Sequence, residues 1–218
     1  MRARERWPQW RPQSAAFDGS FAVPTLQQVI DPVRAKQVEH GRPVGLYPET
    51  KHPAHFAARC LPLEERLARA LHDNGWHTAD APVLLQSFEV ASLRRLAGLS
   101  PLRRVQLAEE RALLDASALR EIGSYAQGVG VAKAQVIPRD EQGRLGRPTS
   151  LVARAHDAGR FVHAWTFRPE NEFLPADLQG RPGEELRRFL ATGIDGVFAD
   201  RPADALATLI APIALIPN

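Results

Sequence analysis

Cysteine is nearly absent from this chain. Cys60 is the only one in 218 residues, which excludes an internal disulfide and a cysteine-based zinc site and leaves no pair for redox cycling. Long apolar runs are missing too: no stretch approaches the roughly 18 residues that a membrane-crossing helix needs. The opening Met1-Arg-Ala-Arg-Glu-Arg6 leads into Trp7 and Pro8 rather than into the apolar core of a signal peptide. Neither cysteine pairing nor a leader therefore assigns a compartment. Lysine is the third scarcity, with Lys36, Lys51 and Lys133 standing against 25 arginines.

What remains is ordinary globular material, 44% hydrophobic and 24% charged, which excludes disordered and fibrous classes. The net charge of +3 is small but uneven: residues 1–60 carry nine Arg/Lys against five Asp/Glu, leaving 19 against 20 for the rest. Arg2, Arg4, Arg6 and Arg11 around Trp7 and Trp10 approach the basic, aromatic-interleaved stripe of a nucleic-acid binder. So short a segment reads instead as a solvated arm with the two tryptophans as packing, and no nucleic-acid partner is expected.

Residues 1–43 hold Pro8, Pro12, Pro24, Pro32 and Pro43 and read as an arm with one short helix from Thr25 to Val29 and onward. From residue 44 the sequence alternates β-rich runs with amphipathic helical spacing. The expected strands are Val44–Tyr47, Val83–Phe88, Arg104–Ala108, Val129–Val136, Phe161–Phe167 and Ile194–Phe198. The expected helices are centred on Leu63–Leu71, Val90–Leu96, Leu113–Tyr125, Ser150–Ala158, Glu184–Ala191 and Ala203–Ile210. Gly159 and Gly193 fall just past two of these helices, where a left-handed residue is wanted. Six βα units in one uninterrupted domain, residues 1–218, imply a parallel sheet covered by helices. Counting alone favours an open doubly wound sheet over an eight-stranded barrel.

Side chains at the C-terminal ends of such strands carry function. Here those ends present Glu49, Lys51, Gln86, Phe88, Glu89, Gln106, Glu109, Lys133, Trp165, Arg168 and Asp200. Carboxylates beside cations suit a hard divalent metal ion together with a phosphate-bearing ligand. Two of the three lysines fall at strand ends, which marks Lys51 and Lys133, because a compact ammonium differs from a planar guanidinium at a crowded phosphate. His52 and His55 are spaced i, i+3, but Pro53 argues against a helix that would align them, so they read as loop surface. His163 alternates inside an expected strand and reads as a hydrogen-bonded residue rather than a base, and Ser87 lacks a partner histidine.

At Tyr47-Pro-Glu-Thr-Lys-His-Pro53 the sequence resembles the strand-3 motif of the glycerophosphodiester phosphodiesterase family. The resemblance continues through Val83-Leu-Leu-Gln-Ser-Phe88, Gly128-Val-Gly130, Val162-His-Ala-Trp-Thr-Phe-Arg168, Asn171-Glu-Phe-Leu-Pro175 and Gly193-Ile-Asp-Gly-Val-Phe-Ala-Asp200. It also takes in Arg4-Glu-Arg-Trp-Pro8 and Pro24-Thr-Leu26, and so covers essentially the whole chain. It implies a TIM-type (β/α)8 barrel, here incomplete with about six βα units matching strands 3 to 8, in place of the open sheet that counting favours. It implies hydrolysis of glycerophosphodiesters to sn-glycerol 3-phosphate and an alcohol, with a divalent cation, Ca²⁺ or Mg²⁺. By resemblance Glu49 is a metal ligand, Lys51 the phosphate-side lysine, and Phe88 and Trp165 line the glycerol end, with Lys133 as a further pocket residue.

The departures from the family pattern are equally specific. The family's first strand ends in His-Arg-Gly followed by Pro-Glu-Asn, and its second carries Glu-x-Asp and then His-Asp; these supply both catalytic histidines and further metal ligands. None of them is here. Glu39-His-Gly-Arg42 has the wrong order, His72-Asp73 and His156-Asp157 end helices, and Pro169-Glu-Asn-Glu172 follows a late strand. The expectation is a family member without its first two βα units, inactive or nearly so alone, since Glu49 by itself is a poor Mg²⁺ or Ca²⁺ site. A catalytically dead phosphate-ester-binding or interaction module is the alternative. Open strand edges at Val44–Tyr47 and Ile194–Phe198 would invite self-association.

Overall fold

The computed structural model describes residues 1–109 and 114–210. Its centre is a five-stranded, all-parallel sheet in the order β1 (Leu84–Ser87), β2 (Arg103–Ala108), β3 (Gly128–Ala132), β4 (Phe161–Phe167) and β5 (Gly196–Ala199). Helices α1 (Pro12–Ala15), α2 (Leu26–His40), α3 (Pro53–Ala57) and α4 (Glu64–Asp73) precede β1. Helices α5 (Val90–Leu99), α6 (Ala116–Ile122), α7 (Lys133–Val136), α8 (Leu151–Asp157), α9 (Pro182–Leu190) and α10 (Pro202–Ile210) alternate with or follow the strands. This is the incomplete α/β barrel wall that the resemblance implies.

The expected first strand forms as a bridged segment rather than a regular strand. Leu46 N donates to Pro82 O, Leu84 N to Leu46 O, Gln86 N to Pro48 O and Thr50 N to Gln86 O. The bond missing from this parallel ladder is the one Pro48 would have to donate, and proline has no N–H. Two isolated parallel bridges, Leu46 with Val83 and Glu49 with Gln86, are left.

Other boundaries move for equally local reasons. The fourth expected strand stops at Ala132, and Lys133–Val136 turns into α7, its β-branched Val136 packing into the core rather than extending the sheet. Helix α6 starts at Ala116 because the Asp115 carboxylate accepts from Ala118 N at 2.7 Å; Leu113, the expected start, lies outside the described residues. Pro53 does not prevent a helix but begins one, since the first helical position needs no N–H, and His52 precedes it at φ 50°. Helix α2 runs well past Val29 to His40, opened by a reciprocal Thr25–Gln28 capping box and closed by Gly41 in the left-handed region. Gly159 and Gly193 take the expected positive φ.

The alternation of each strand separates two faces. Leu85, Val129, Val131, Val162 and Ala164 are buried in one continuous core with the helices, including Leu93, Leu96, Leu151 and Phe189. The other face is concave and pairs large side chains with glycines. A Cβ on Gly128 would lie 2.2 Å from the Phe161 ring, one on Gly130 2.6 Å from Leu107, and one on Gly196 2.8 Å from His163. These glycines vacate the space that the neighbouring rings fill.

Candidate active site at the strand ends

The bridged segment 46–50 places Glu49 opposite Gln86, so the two side chains share the concave face about one strand spacing (~4.8 Å) apart. The next residue locks the segment. Thr50 is buried; its carbonyl accepts from Ser87 Oγ at 3.0 Å and its Oγ1 meets Ser92 Oγ at 2.9 Å. Ser87 is therefore a clip for the Glu49 segment, in keeping with its lack of a histidine partner.

Below Glu49 on the same face, Tyr47 reaches across the wall. Its hydroxyl lies 3.0 Å from His163 Nδ1 on β4 and its ring centroid 4.9 Å from Phe198 on β5. The first and last strands of the wall thus meet through one side chain, with His163 the hydrogen-bonded barrel residue expected. Burial pushes the Tyr47 phenol well above its ordinary range and the His163 imidazole below its own. Both are held neutral at pH 7.

Above that layer the ring centroids of Phe88 and Trp165 are 6.1 Å apart, edge to face, bringing together residues 77 positions apart in the chain. Phe88 is exposed at the rim. Three polar atoms at this end are buried without a hydrogen-bond partner among the described residues: Glu49 Oε1, Gln86 Oε1 and Trp165 Nε1. Buried polar atoms are nearly always bonded, so three orphans at one end of one sheet mark a place that expects a ligand. Lys51, two residues beyond Glu49, is exposed and forms no ion pair among the described residues.

The structure places Lys133 elsewhere. Its ammonium sits 2.6 Å from Glu185 Oε1 on α9 and 3.3 Å from the Phe173 carbonyl, over the Phe167 ring. Burial drives the ammonium down and the Glu185 carboxyl up, each opposed by the other's charge. The chain spends this lysine on tying α7 to α9. Asp200 and Glu170, at the ends of β5 and β4, are likewise engaged. Arg11 reaches Glu170 at 2.7 Å and Asp200 at 2.8 Å, and Arg168 meets Asp200 at 2.9 Å. Partial burial raises Asp200, but the bonds from Arg11 and Arg168 outweigh it and hold the carboxyl below its usual range. The Arg168 guanidinium is stacked 5.0 Å from Trp7 and 4.9 Å from Phe173, so the tryptophans of the arm pack as expected.

A hard divalent cation asks for oxygen donors, and Mg²⁺ in particular takes one or two carboxylates, several waters and substrate phosphate oxygens. The orphan oxygen of Glu49 fits one position of such a shell. No group of three or more His, Cys, Asp or Glu side chains gathers for a metal among the described residues. Gln86 was visible in the sequence only as one of several strand-end residues. Its singular feature, an amide oxygen with nothing to accept from, is a tertiary fact.

The model of the glycerophosphoryl diester phosphodiesterase family matches residues 2–204. A glycerophosphodiester phosphodiesterase of Arabidopsis thaliana, GDPD6, is 27% identical over 223 residues, covering 91% of this chain and 58% of the relative. A crystal structure of a glycerophosphoryl diester phosphodiesterase homologue from Silicibacter pomeroyi aligns with TM-score 0.63 at 22% identity, over 94% of this chain and 62% of that one. An Oleispira antarctica phosphodiesterase, solved with the product sn-glycerol-3-phosphate, aligns with TM-score 0.60 at 17% identity, over 88% of this chain and 64% of that one. The chain thus spans about three-fifths of the length of these relatives.

Proposed function

Since the chain belongs to the glycerophosphoryl diester phosphodiesterase family, we propose that its concave strand ends form the later-strand half of a metal-dependent site that hydrolyses glycerophosphodiesters to sn-glycerol 3-phosphate and an alcohol. The observation that carries this reading is the cluster of unpartnered buried atoms on Glu49, Gln86 and Trp165, on elements that hold Phe88 beside them. It asks for a ligand that offers a cation to one side and hydrogen-bond acceptors to the other.

In this reading Glu49 holds the cation, which when bound neutralises the phosphate and raises its electrophilicity. Lys51 is free to pair with a phosphate oxygen as a point charge. Trp165 donates its indole N–H to a hydroxyl or ester oxygen, and its ring with that of Phe88 covers the glycerol carbons and keeps water off that side. Hydrolysis adds one water: its oxygen bonds to phosphorus, the bond from phosphorus to the alcohol oxygen breaks, and the alkoxide takes a proton. Neither proton transfer is assigned to this chain, because His163 is committed to Tyr47 below the site and the family's two histidine motifs are not in this sequence. The chain alone is accordingly inactive or nearly so.

The test is glycerol 3-phosphate release from glycerophosphocholine with Ca²⁺ or Mg²⁺, comparing this chain with the same chain fused to a family N-terminal segment bearing both histidines. Activity in the fusion alone, lost in Glu49→Ala, is the expected result. Activity of the chain alone would refute the account of the missing base. A phosphate-ester-binding module is the second reading, favoured by the small donor set; it predicts that glycerol 3-phosphate binds the chain without metal and without the added segment.

A further inference from the structure

Gln86 is 7% exposed, and both of its backbone groups are spent on the neighbouring segment: its N–H goes to Pro48 O and its carbonyl accepts from Thr50 N. Its side-chain Nε2 donates to the Tyr47 carbonyl at 3.2 Å. That contact orients the amide, because a backbone carbonyl can only accept, so the NH₂ must face Tyr47 and the oxygen must face away from it. Tyr47 belongs to the layer below Glu49, and Oε1 is therefore turned from that layer, on the face Gln86 shares with Glu49. There it has no partner among the described residues, and neither has Glu49 Oε1.

Two unmet buried acceptors on one face of neighbouring segments are an unfavourable arrangement. An unmet buried acceptor keeps its full desolvation penalty, and a carboxylate facing the negative end of an amide dipole adds repulsion. No hydrogen bond from a protein donor among the described residues reaches either oxygen. One positive centre lying against both oxygens relieves both acceptors at once.

We propose that Gln86 Oε1 is a second protein ligand, beside Glu49 Oε1, for one hard divalent cation. This rests on the reading of Glu49 given above and extends it to a neutral ligand that the sequence motif does not mark. A carbonyl oxygen is an ordinary donor to Ca²⁺ and brings no charge, leaving Glu49 and the substrate phosphate to neutralise the ion.

The measurement is equilibrium binding of Tb³⁺, a luminescent stand-in for Ca²⁺ excited through the indole of Trp165, on the full chain. Competition with Ca²⁺ identifies the shared site. Gln86→Met keeps the length and removes the oxygen; it is expected to weaken Tb³⁺ binding at least about tenfold, the lower end of what even an outer-shell partner contributes. Gln86→Glu restores an oxygen, adds charge, and should bind at least as tightly as the parent chain, so a loss in Gln86→Met that Gln86→Glu shares would indicate misfolding and overturn the assignment. Unchanged binding in Gln86→Met, with loss in Glu49→Gln, overturns this inference and leaves the Glu49 reading intact. No Ca²⁺-competed binding by the parent chain overturns this inference and leaves the Glu49 reading to the fused chain, where Glu49→Ala tests it.

Discussion

Replacing Lys133 by methionine separates a structural lysine from a ligand-binding one. In the structure its ammonium is the closest counter-charge to Glu185, a carboxylate only 1% exposed, at 2.6 Å. Removing one partner of a buried pair strands the other charge, which costs about 3–5 kcal/mol. Arg139 remains at 3.9 Å from the same oxygen, so the lower end, about 3 kcal/mol, is the expected loss. For a chain of this size each kcal/mol moves the melting temperature about 2–4 °C, so Lys133→Met should melt roughly 6–12 °C lower at pH 7. The loss should shrink in acid. Burial already raises the Glu185 carboxyl, and without Lys133 it rises further. A carboxyl raised above its unfolded value of about 4.3 favours the fold below that value and loses this advantage as pH climbs through the folded value. The double replacement Lys133→Met with Glu185→Leu should recover most of the melting temperature, because a well-packed apolar pair replaces a buried ion pair at little cost. Thermal melts across pH 4 to 8 are the assay. A Lys133→Met chain that melts like the parent yet binds glycerol 3-phosphate more weakly would refute the argument and return Lys133 to the pocket.

Gly128→Ala should destabilise by about 1–3 kcal/mol, because its Cβ would lie 2.2 Å from the Phe161 ring, and adding Phe161→Leu should restore part of that; denaturant unfolding reads both. His163 is buried with its imidazole below the ordinary value, so the unfolded chain takes up protons first. Its share of stability is complete above about pH 6.5 and falls as pH drops below that, and the slope should flatten in His163→Gln when unfolding is followed between pH 7 and 5. The open edges at segment 44–50 and β5 predict concentration-dependent association in sedimentation experiments; a monodisperse monomer at all concentrations would count against them. Arg11→Ala removes both links from the arm to Glu170 and Asp200 and should make the arm the first site of limited proteolysis.

The sequence by itself determined the order of parallel strands and covering helices from Val83 onward, because period-two and helical spacing are local and the glycines after helices are local too. It also determined the family, whose motifs run in order along nearly the whole chain, and it marked Glu49, Lys51, Phe88 and Trp165, which all lie at the strand ends. Tertiary structure decided what no local pattern encodes. A single missing N–H at Pro48 reduced a strand to two bridges. Lys133 carried the right residue type at the right strand end, yet its charge went to Glu185, 52 residues away, because burial makes an ammonium take the nearest carboxylate. Arg11 found Glu170 across 159 residues, and Tyr47 found His163 across 116. Gln86 emerged only when its neighbours were in place, since whether a buried oxygen is satisfied depends on every chain segment that could have donated to it.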